Sequence, residues 1–260
     1  MFRSIDAAGR ATGARLIAVD RPGMGLSDPK PGRTLLDWPR DVAELADSLG
    51  IDRFAVAGVS GGGPYAAACL QVIPERLISV GVISGMGPLD VPQHRRAMAP
   101  RYRALFAIAG WGGPAWSIVS RAAGLTAAYW PTGFLDWASR NEPAIERSKS
   151  MLRAVRVGTL EAFRNGIRGP ADDVRVLAQP WGFAPQPSGV PVHLWHGDRD
   201  TIVPAVMMQT LAERVSATRA EIISGAGHFW GLLNAETIIS ALIESNDAGR
   251  SRCSVSLHPA

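Results

Sequence analysis

Cysteine is scarce in this chain: among 260 residues only Cys69 and Cys253 carry a thiol. Two are too few for a disulfide framework, which excludes the small stapled secreted folds and leaves Cys69 as a core residue. Long hydrophobic runs are missing too. No uninterrupted apolar stretch reaches the roughly 18 residues of a membrane span, and the opening Met1-Phe-Arg-Ser-Ile-Asp6 lacks the apolar run of a signal peptide. A soluble, cytoplasmic protein with no membrane partner is therefore expected. No group of Cys and His stands at metal-ligand spacing, and Gly61-Gly62-Gly63 lacks the spacing and the following Lys-Ser/Thr of a phosphate loop. Neither a metal nor a cofactor is expected.

The net charge of +4 and the pI near 9.6 raise the question of nucleic acid. Arginine supplies nearly all the positive charge, and its distribution answers the question better than its sum. Between Asp90 and Pro187 there are 13 basic and 7 acidic residues, against 14 and 16 in the remainder. The excess is spread as Arg95, Arg96, Arg101, Arg103, Arg147, Lys149, Arg153, Arg156, Arg164 and Arg168, at spacings that mostly suit the wet faces of helices. With no nucleic-acid motif beside it, this is read as a solvated face, with attraction of an anionic substrate as the lesser alternative.

What is present is concentrated in Phe54-Ala-Val-Ala-Gly-Val-Ser-Gly-Gly-Gly-Pro-Tyr-Ala-Ala-Ala68. Phe54 to Val59 reads as a short buried strand, and Pro64 onward as a helix start. Ser60 sits at the break between them, in Gly58-Val59-Ser60-Gly61-Gly62. A serine at such a turn takes a strained backbone conformation that projects its hydroxyl out of the sheet. Side chains two positions either side would collide, and glycine at 58 and 62 removes the collision. The N–H of Gly61, at the start of the helix, offers a donor and a positive dipole end to an oxyanion.

A serine hydroxyl needs a base to take its proton. Pro191 to Trp195 reads as a second buried strand, running into His196-Gly-Asp-Arg-Asp200-Thr-Ile-Val-Pro204. Ala220 to Ser224 reads as another strand, followed by Gly225-Ala-Gly-His228. The order is serine, acid, histidine. His94, His193, His196 and His258 read as surface or hydrogen-bonded structural residues.

The chain resembles the α/β-hydrolases, whose nucleophile elbow, post-strand acid and late-loop histidine come in this order, and the matching segments run from about Arg15 to about Ile243. The resemblance implies an α/β fold: a mostly parallel sheet flanked by helices, with an inserted helical cap. It implies Ser60 as nucleophile, His228 as general base and then acid, Asp200 as the residue orienting the imidazole, and Gly61 as oxyanion donor. Asp198 is the close rival of Asp200, which the family's G-x-x-D-x-x-V-P pattern favours, and Asp90 is a weaker alternative.

The same resemblance exposes a departure. Arg15-Leu-Ile-Ala-Val-Asp20 matches the family's fourth strand, which three strands precede in relatives, the third leading into the loop that supplies the second oxyanion N–H. Ser4 to Gly13 resembles only the back half of the helix after that loop. The first strands are thus expected to be missing, as in an N-terminally shortened hydrolase, and the Leu16 to Val19 strand to lack its usual neighbour. Loss of one oxyanion donor costs about 2.7 to 4 kcal/mol.

The expected organisation is a discontinuous core of residues 1–89 and 188–245, a helical cap of 90–187 and a disordered tail of 246–260. A further helix is expected near Trp38 to Leu49 and a strand near Ile78 to Ile83. Pro131, Pro143 and Pro170 punctuate the cap, and Pro170-Ala-Asp172-Asp173 reads as a helix start with its acids against the positive dipole end. Phe106, Trp111, Trp116, Tyr129, Trp130, Phe134 and Trp137 are read mostly as cap core, with some lining a pocket before Ser60. The leading functional expectation is hydrolysis of an ester, or an amide, of a small hydrophobic substrate through an acyl-serine. The alternatives are an inactive or ligand-binding relative, and a proline-iminopeptidase-like aminopeptidase, cofactor-free haloperoxidase or acyltransferase on the same triad. Oligomeric state is not legible.

Overall fold

In a computed structural model, residues 2–130, 133, 141–143 and 149–251 are described. Four strands form one parallel sheet in chain order: β1 Phe54–Val59, β2 Leu77–Ile83, β3 Val192–Gly197 and β4 Arg219–Ile223. Parallel pairing demands crossovers. Helix α3 (Gly63–Val72) joins β1 to β2, and α9 (Val206–Val215) joins β3 to β4. The link from β2 to β3 carries the insertion, α4 (Pro92–Ala97), α5 (Pro100–Trp111), α6 (Gly113–Tyr129), α7 (Lys149–Ala162) and α8 (Arg168–Ala178). Helices α1 (Phe2–Thr12) and α2 (Trp38–Ser48) precede the sheet, and α10 (Trp230–Leu233) and α11 (Ala235–Ser251) follow it.

Alternation along the strands sorts side chains to two faces. Val80, Val82, Val192 and Leu194 point to one, where Ala66, Cys69 and Leu70 of α3 and Met208, Leu211 and Val215 of α9 cover them. Burial pushes the Cys69 thiol up to about 12, so it stays a neutral packing group. Ile83 and Trp195 point to the other face, under Ile238 and Leu242 of α11. A Cβ at Gly81 would stand 3.0 Å from Leu242, and Ser79 donates its hydroxyl to the Leu242 carbonyl at 2.7 Å. Small residues in β2 thus let α11 lie close.

Three expectations are corrected. The stretch Leu16 to Val19 forms no strand, and its side chains are 40 %, 44 % and 39 % exposed at Leu16, Ile17 and Val19. Among the described residues β1 pairs only with β2, so no ladder partner is in place for the stretch. An apolar segment without one cannot satisfy its backbone as a strand. Second, α8 starts at Arg168, within two residues of the helix start expected at Pro170, but its first turn carries no acid, and Asp173 is a buried ion-pair partner rather than a dipole acid. Third, the cap aromatics are not mostly core: Trp116 is buried and Phe106 half-buried, but Trp111, Tyr129 and Trp130 are exposed. Phe134, Trp137 and Pro131 lie outside the described residues. The basic side chains expected on wet faces include Arg95, Arg96, Arg103, Arg153, Arg156, Arg164 and Arg168, all exposed. Helix α11 continues to Ser251, beyond the expected start of the tail, and residues 252–260 lie outside the described set. Among the described residues no helix is long and apolar enough to cross a membrane.

Candidate active site

The break between β1 and α3 places Ser60 at φ +55°, in the left-handed region that a non-glycine residue occupies at a cost. Its surroundings hold it there. A Cβ at Gly58 would stand 2.2 Å from the Gly62 carbonyl oxygen, and one at Gly63 would stand 2.9 Å from Gly85 Cα. Gly62, which the sequence pairs with Gly58, carries no such requirement, since a Cβ there meets only Arg21 Nη1 at 3.8 Å. The close approach is made by the Gly62 backbone, and the second glycine the packing requires is Gly63. The Ser60 carbonyl accepts the Met86 N–H at 3.1 Å, tying the elbow to the end of β2.

Ser60 and Gly61 open on a cavity of about 190 Å³ whose walls include Met86, Met98, Phe106, Leu177, Ile202 and Met207. Three methionines and an aromatic ring make it apolar and adaptable. Its walls come from the elbow, the insertion and the loop after β3, so the cavity lies where core and insertion meet.

Asp200 and His228 hang from the C-terminal ends of β3 and β4, and Asp200 Oδ2 meets His228 Nδ1 at 2.8 Å. The other carboxylate oxygen accepts the N–H groups of Ile202 at 2.9 Å and Val203 at 2.8 Å, fixing the plane of the group. The side chain has no exposure to solvent. Burial alone pushes its ionisation up, but the His228 charge and hydrogen bonds from His196 and His228 outweigh it and hold the carboxyl well below the usual aspartate range. Its rivals are elsewhere: Asp198 accepts the Gly225 N–H at 2.7 Å, and Asp90 is exposed. The Ile202–Val203 segment joins the two halves of the site, since it lines the cavity at Ser60 and caps Asp200.

Two participants were not legible. His196 is buried, its Nε2 within 2.8 Å of the Val203 carbonyl and 3.2 Å of Asp200 Oδ2. Its place four residues before the acid at a strand end was the available signal. Glu142, in the insertion, sends its carboxylate to the backbone of Thr201 and of His228 at 3.0 and 2.6 Å. Nothing in Asn141-Glu142-Pro143 distinguishes it from any surface acid.

A second buried cluster docks the insertion on the elbow helix. Asp173 of α8 accepts Tyr65 Oη at 2.6 Å and Arg33 Nη2 at 2.8 Å through one oxygen, and Arg21 Nη2 at 2.8 Å through the other. Arg33 also donates to the Tyr65 hydroxyl, and the Arg21 guanidinium lies 4.9 Å over the Tyr65 ring. Burial and the Asp173 charge push the Tyr65 phenol above its ordinary value, so it remains a hydrogen-bond donor.

The description of the alpha/beta hydrolase family matches residues 2–241. An esterase from Exiguobacterium antarcticum superposes with a TM-score of 0.69 at 18 % identity, over 95 % of this chain and 86 % of that one. Est816, described as an N-acyl homoserine lactone degrading enzyme, superposes with a TM-score of 0.60 at 21 % identity, over 95 % and 87 %. In sequence, the dihydrolipoyllysine-residue acetyltransferase component of the acetoin cleaving system of Cupriavidus necator is 36 % identical over 107 residues, 36 % of this chain. That match spans 29 % of the acetyltransferase's own length. The family match covers nearly the whole chain, which belongs to the alpha/beta hydrolase family and is a hydrolase-type enzyme.

Proposed function

We propose that the protein cleaves the ester bond of a small hydrophobic acyl compound, with Ser60 as nucleophile, His228 as general base and acid, and Asp200 as the group that orients and stabilises the imidazole. The observation that carries the reading is the 2.8 Å Asp200–His228 hydrogen bond, made from the strand ends next to an elbow serine that faces an apolar cavity. Asp200 holds the proton on Nδ1, which makes Nε2 the nitrogen that accepts the Ser60 proton as Oγ attacks the acyl carbon. The carbonyl oxygen becomes an oxyanion opposite the Gly61 N–H. Collapse of the tetrahedral intermediate expels the alcohol, protonated by His228, and leaves an acyl-serine. Water, deprotonated by the same imidazole, releases the acid and restores Ser60.

Size narrows the substrate. Pockets for drug-sized ligands run to about 300–1,000 Å³, and 190 Å³ suits a short acyl chain. The name of one similar protein, an esterase, concerns an ester bond and supports this choice over an amide. A fluorophosphonate probe with peptide mapping tests the proposal. Label on Ser60, absent in Ser60→Ala, together with short-acyl ester turnover that falls by about a million-fold in that variant, is the expected result. A folded wild-type protein that takes no label overturns it in favour of a ligand-binding relative.

A further inference from the structure

Among the described residues the Glu142 carboxylate accepts three hydrogen bonds, all from the loops that carry Asp200 and His228. Oε1 accepts the Thr201 N–H at 3.0 Å and the Thr201 hydroxyl at 2.5 Å; Oε2 accepts the His228 N–H at 2.6 Å. Thr201 directly follows Asp200. The acid and the imidazole ride on separate loops, after β3 and β4, and a single carboxylate from the insertion clamps the backbone of both. Glu142 is only 5 % exposed. A carboxylate taken out of water is retained only where its oxygens are satisfied, and here the donors that satisfy it belong to the reacting pair's own loops.

The charges around the imidazole sharpen the point. Asp200 faces Nδ1, with His196 behind it, and Glu142 stands against the main chain of His228 itself. From α5, Tyr102 lies close enough to feel both carboxylates: burial first raises its phenol, Arg101 beside it lowers it, and Glu142 and Asp200 raise it further. The Phe229 ring stands T-shaped to the imidazole, with the ring centroids 5.4 Å apart.

We propose that Glu142 is a positioning residue for the Asp200–His228 pair, locking the two loops in register and adding a second negative charge beside an imidazole that turns positive during acyl transfer. It touches no substrate and acts through the backbone and the local field. The inference rests on the Ser60–His228–Asp200 reading above, but it is read out separately.

The test is Glu142→Gln, which keeps the shape, removes the charge and turns one acceptor into a donor facing N–H groups. In the wild type and the variant, the His228 imidazole is titrated by nuclear magnetic resonance, its signal assigned from its loss in His228→Asn. The midpoint is expected to fall by about half a pH unit or more in Glu142→Gln, because a carboxylate that favoured the imidazolium is gone. Glu142→Asp, which keeps the charge, is expected to hold the wild-type midpoint. With an ester substrate, kcat of Glu142→Gln is expected to drop about tenfold with KM unchanged. An unchanged midpoint in a folded Glu142→Gln protein overturns the proposal whatever its kcat. If that variant does not fold, Thr201→Val, which removes one donor to Oε1, replaces it. The His228 backbone amide is then expected to exchange with solvent about tenfold faster, and unchanged exchange overturns the proposal. Absence of probe label on wild-type Ser60 would sink the hydrolytic reading, yet leave the titration comparison intact.

Discussion

Strand β3 carries two histidines and the stretch Leu16 to Val19 is wholly apolar, yet β3 is buried along its whole length while the other forms no strand and stays half exposed. The difference is neighbours. β3 has β2 and β4 in register on its two sides and a helix layer on each face. Leu16 has α1, against which its side chain lies so close that a Cβ at Gly9 would stand 2.8 Å from it. Between these extremes sits β1, laddered on one side and partly exposed. The site inherits this asymmetry, because its acid loop hangs from the interior β3, the base loop from β4, and its serine from β1. The Asp200 side is overdetermined by hydrogen bonds, whereas the Ser60 side is held by close backbone packing.

Within this comparison the largest expected effect strikes the overdetermined half. Asp200→Asn keeps an acceptor for the Ile202 and Val203 N–H groups but presents the wrong partner to His228, so kcat is expected to fall about ten-thousand-fold with little change in fold. Its effect on stability depends on pH in a defined direction. Asp200 titrates below the ordinary aspartate value in the folded protein, so its stabilising contribution is complete above that value of about 4 and fades as pH falls toward the lowered one. The stability gap between wild type and Asp200→Asn, measured by urea unfolding, is expected to be constant above about pH 5 and to close in stronger acid. A gap that widens as pH falls would contradict the assignment.

Next comes the contact that ties the insertion to the serine side. Asp173→Ala leaves Arg33, whose side chain is 4 % exposed, without its carboxylate, and breaking a buried pair in this way costs about 3–5 kcal/mol. A fall of roughly 10 °C in melting temperature follows for a chain of this size. Asp173→Asn, which can still accept from Tyr65, is expected to lose less. If both variants melt like the wild type, the cluster is not what fastens α8 to α3.

Most of the fold was legible because strand period, turn glycines and motif order are local signals. β1 lies where Phe54 to Val59 placed it, and α2, β2, β3 and β4 lie within about two residues of expectation. What escaped is non-local. Whether Leu16 to Val19 becomes a strand depends on a neighbour far along the chain. Whether Asp173 is a dipole acid or an ion-pair partner depends on Arg33, 140 residues earlier in the sequence. Glu142 gains its place from loops that follow residues 200 and 227, and no periodicity links them. Trp111, Tyr129 and Trp130 misled for the opposite reason: large apolar side chains are usually buried, but Tyr129 sits at the end of a helix whose outer face has no covering layer among the described residues.

The smallest effect belongs to the open edge, and it is informative only beside its counterpart. Leu194 of β3 is fully buried among Val80, Val192 and Leu211, so Leu194→Ala removes contacts that the rigid surroundings cannot replace and is expected to cost about 2–5 kcal/mol. Ile17 is 44 % exposed and outside the ladder, so Ile17→Ser is expected to change stability by less than about 0.5 kcal/mol. Urea midpoints for the two variants, at equal slope, check the pair. A cost at Ile17 approaching that at Leu194 would mean that the segment packs against something in solution, and that the sheet does not end at β1.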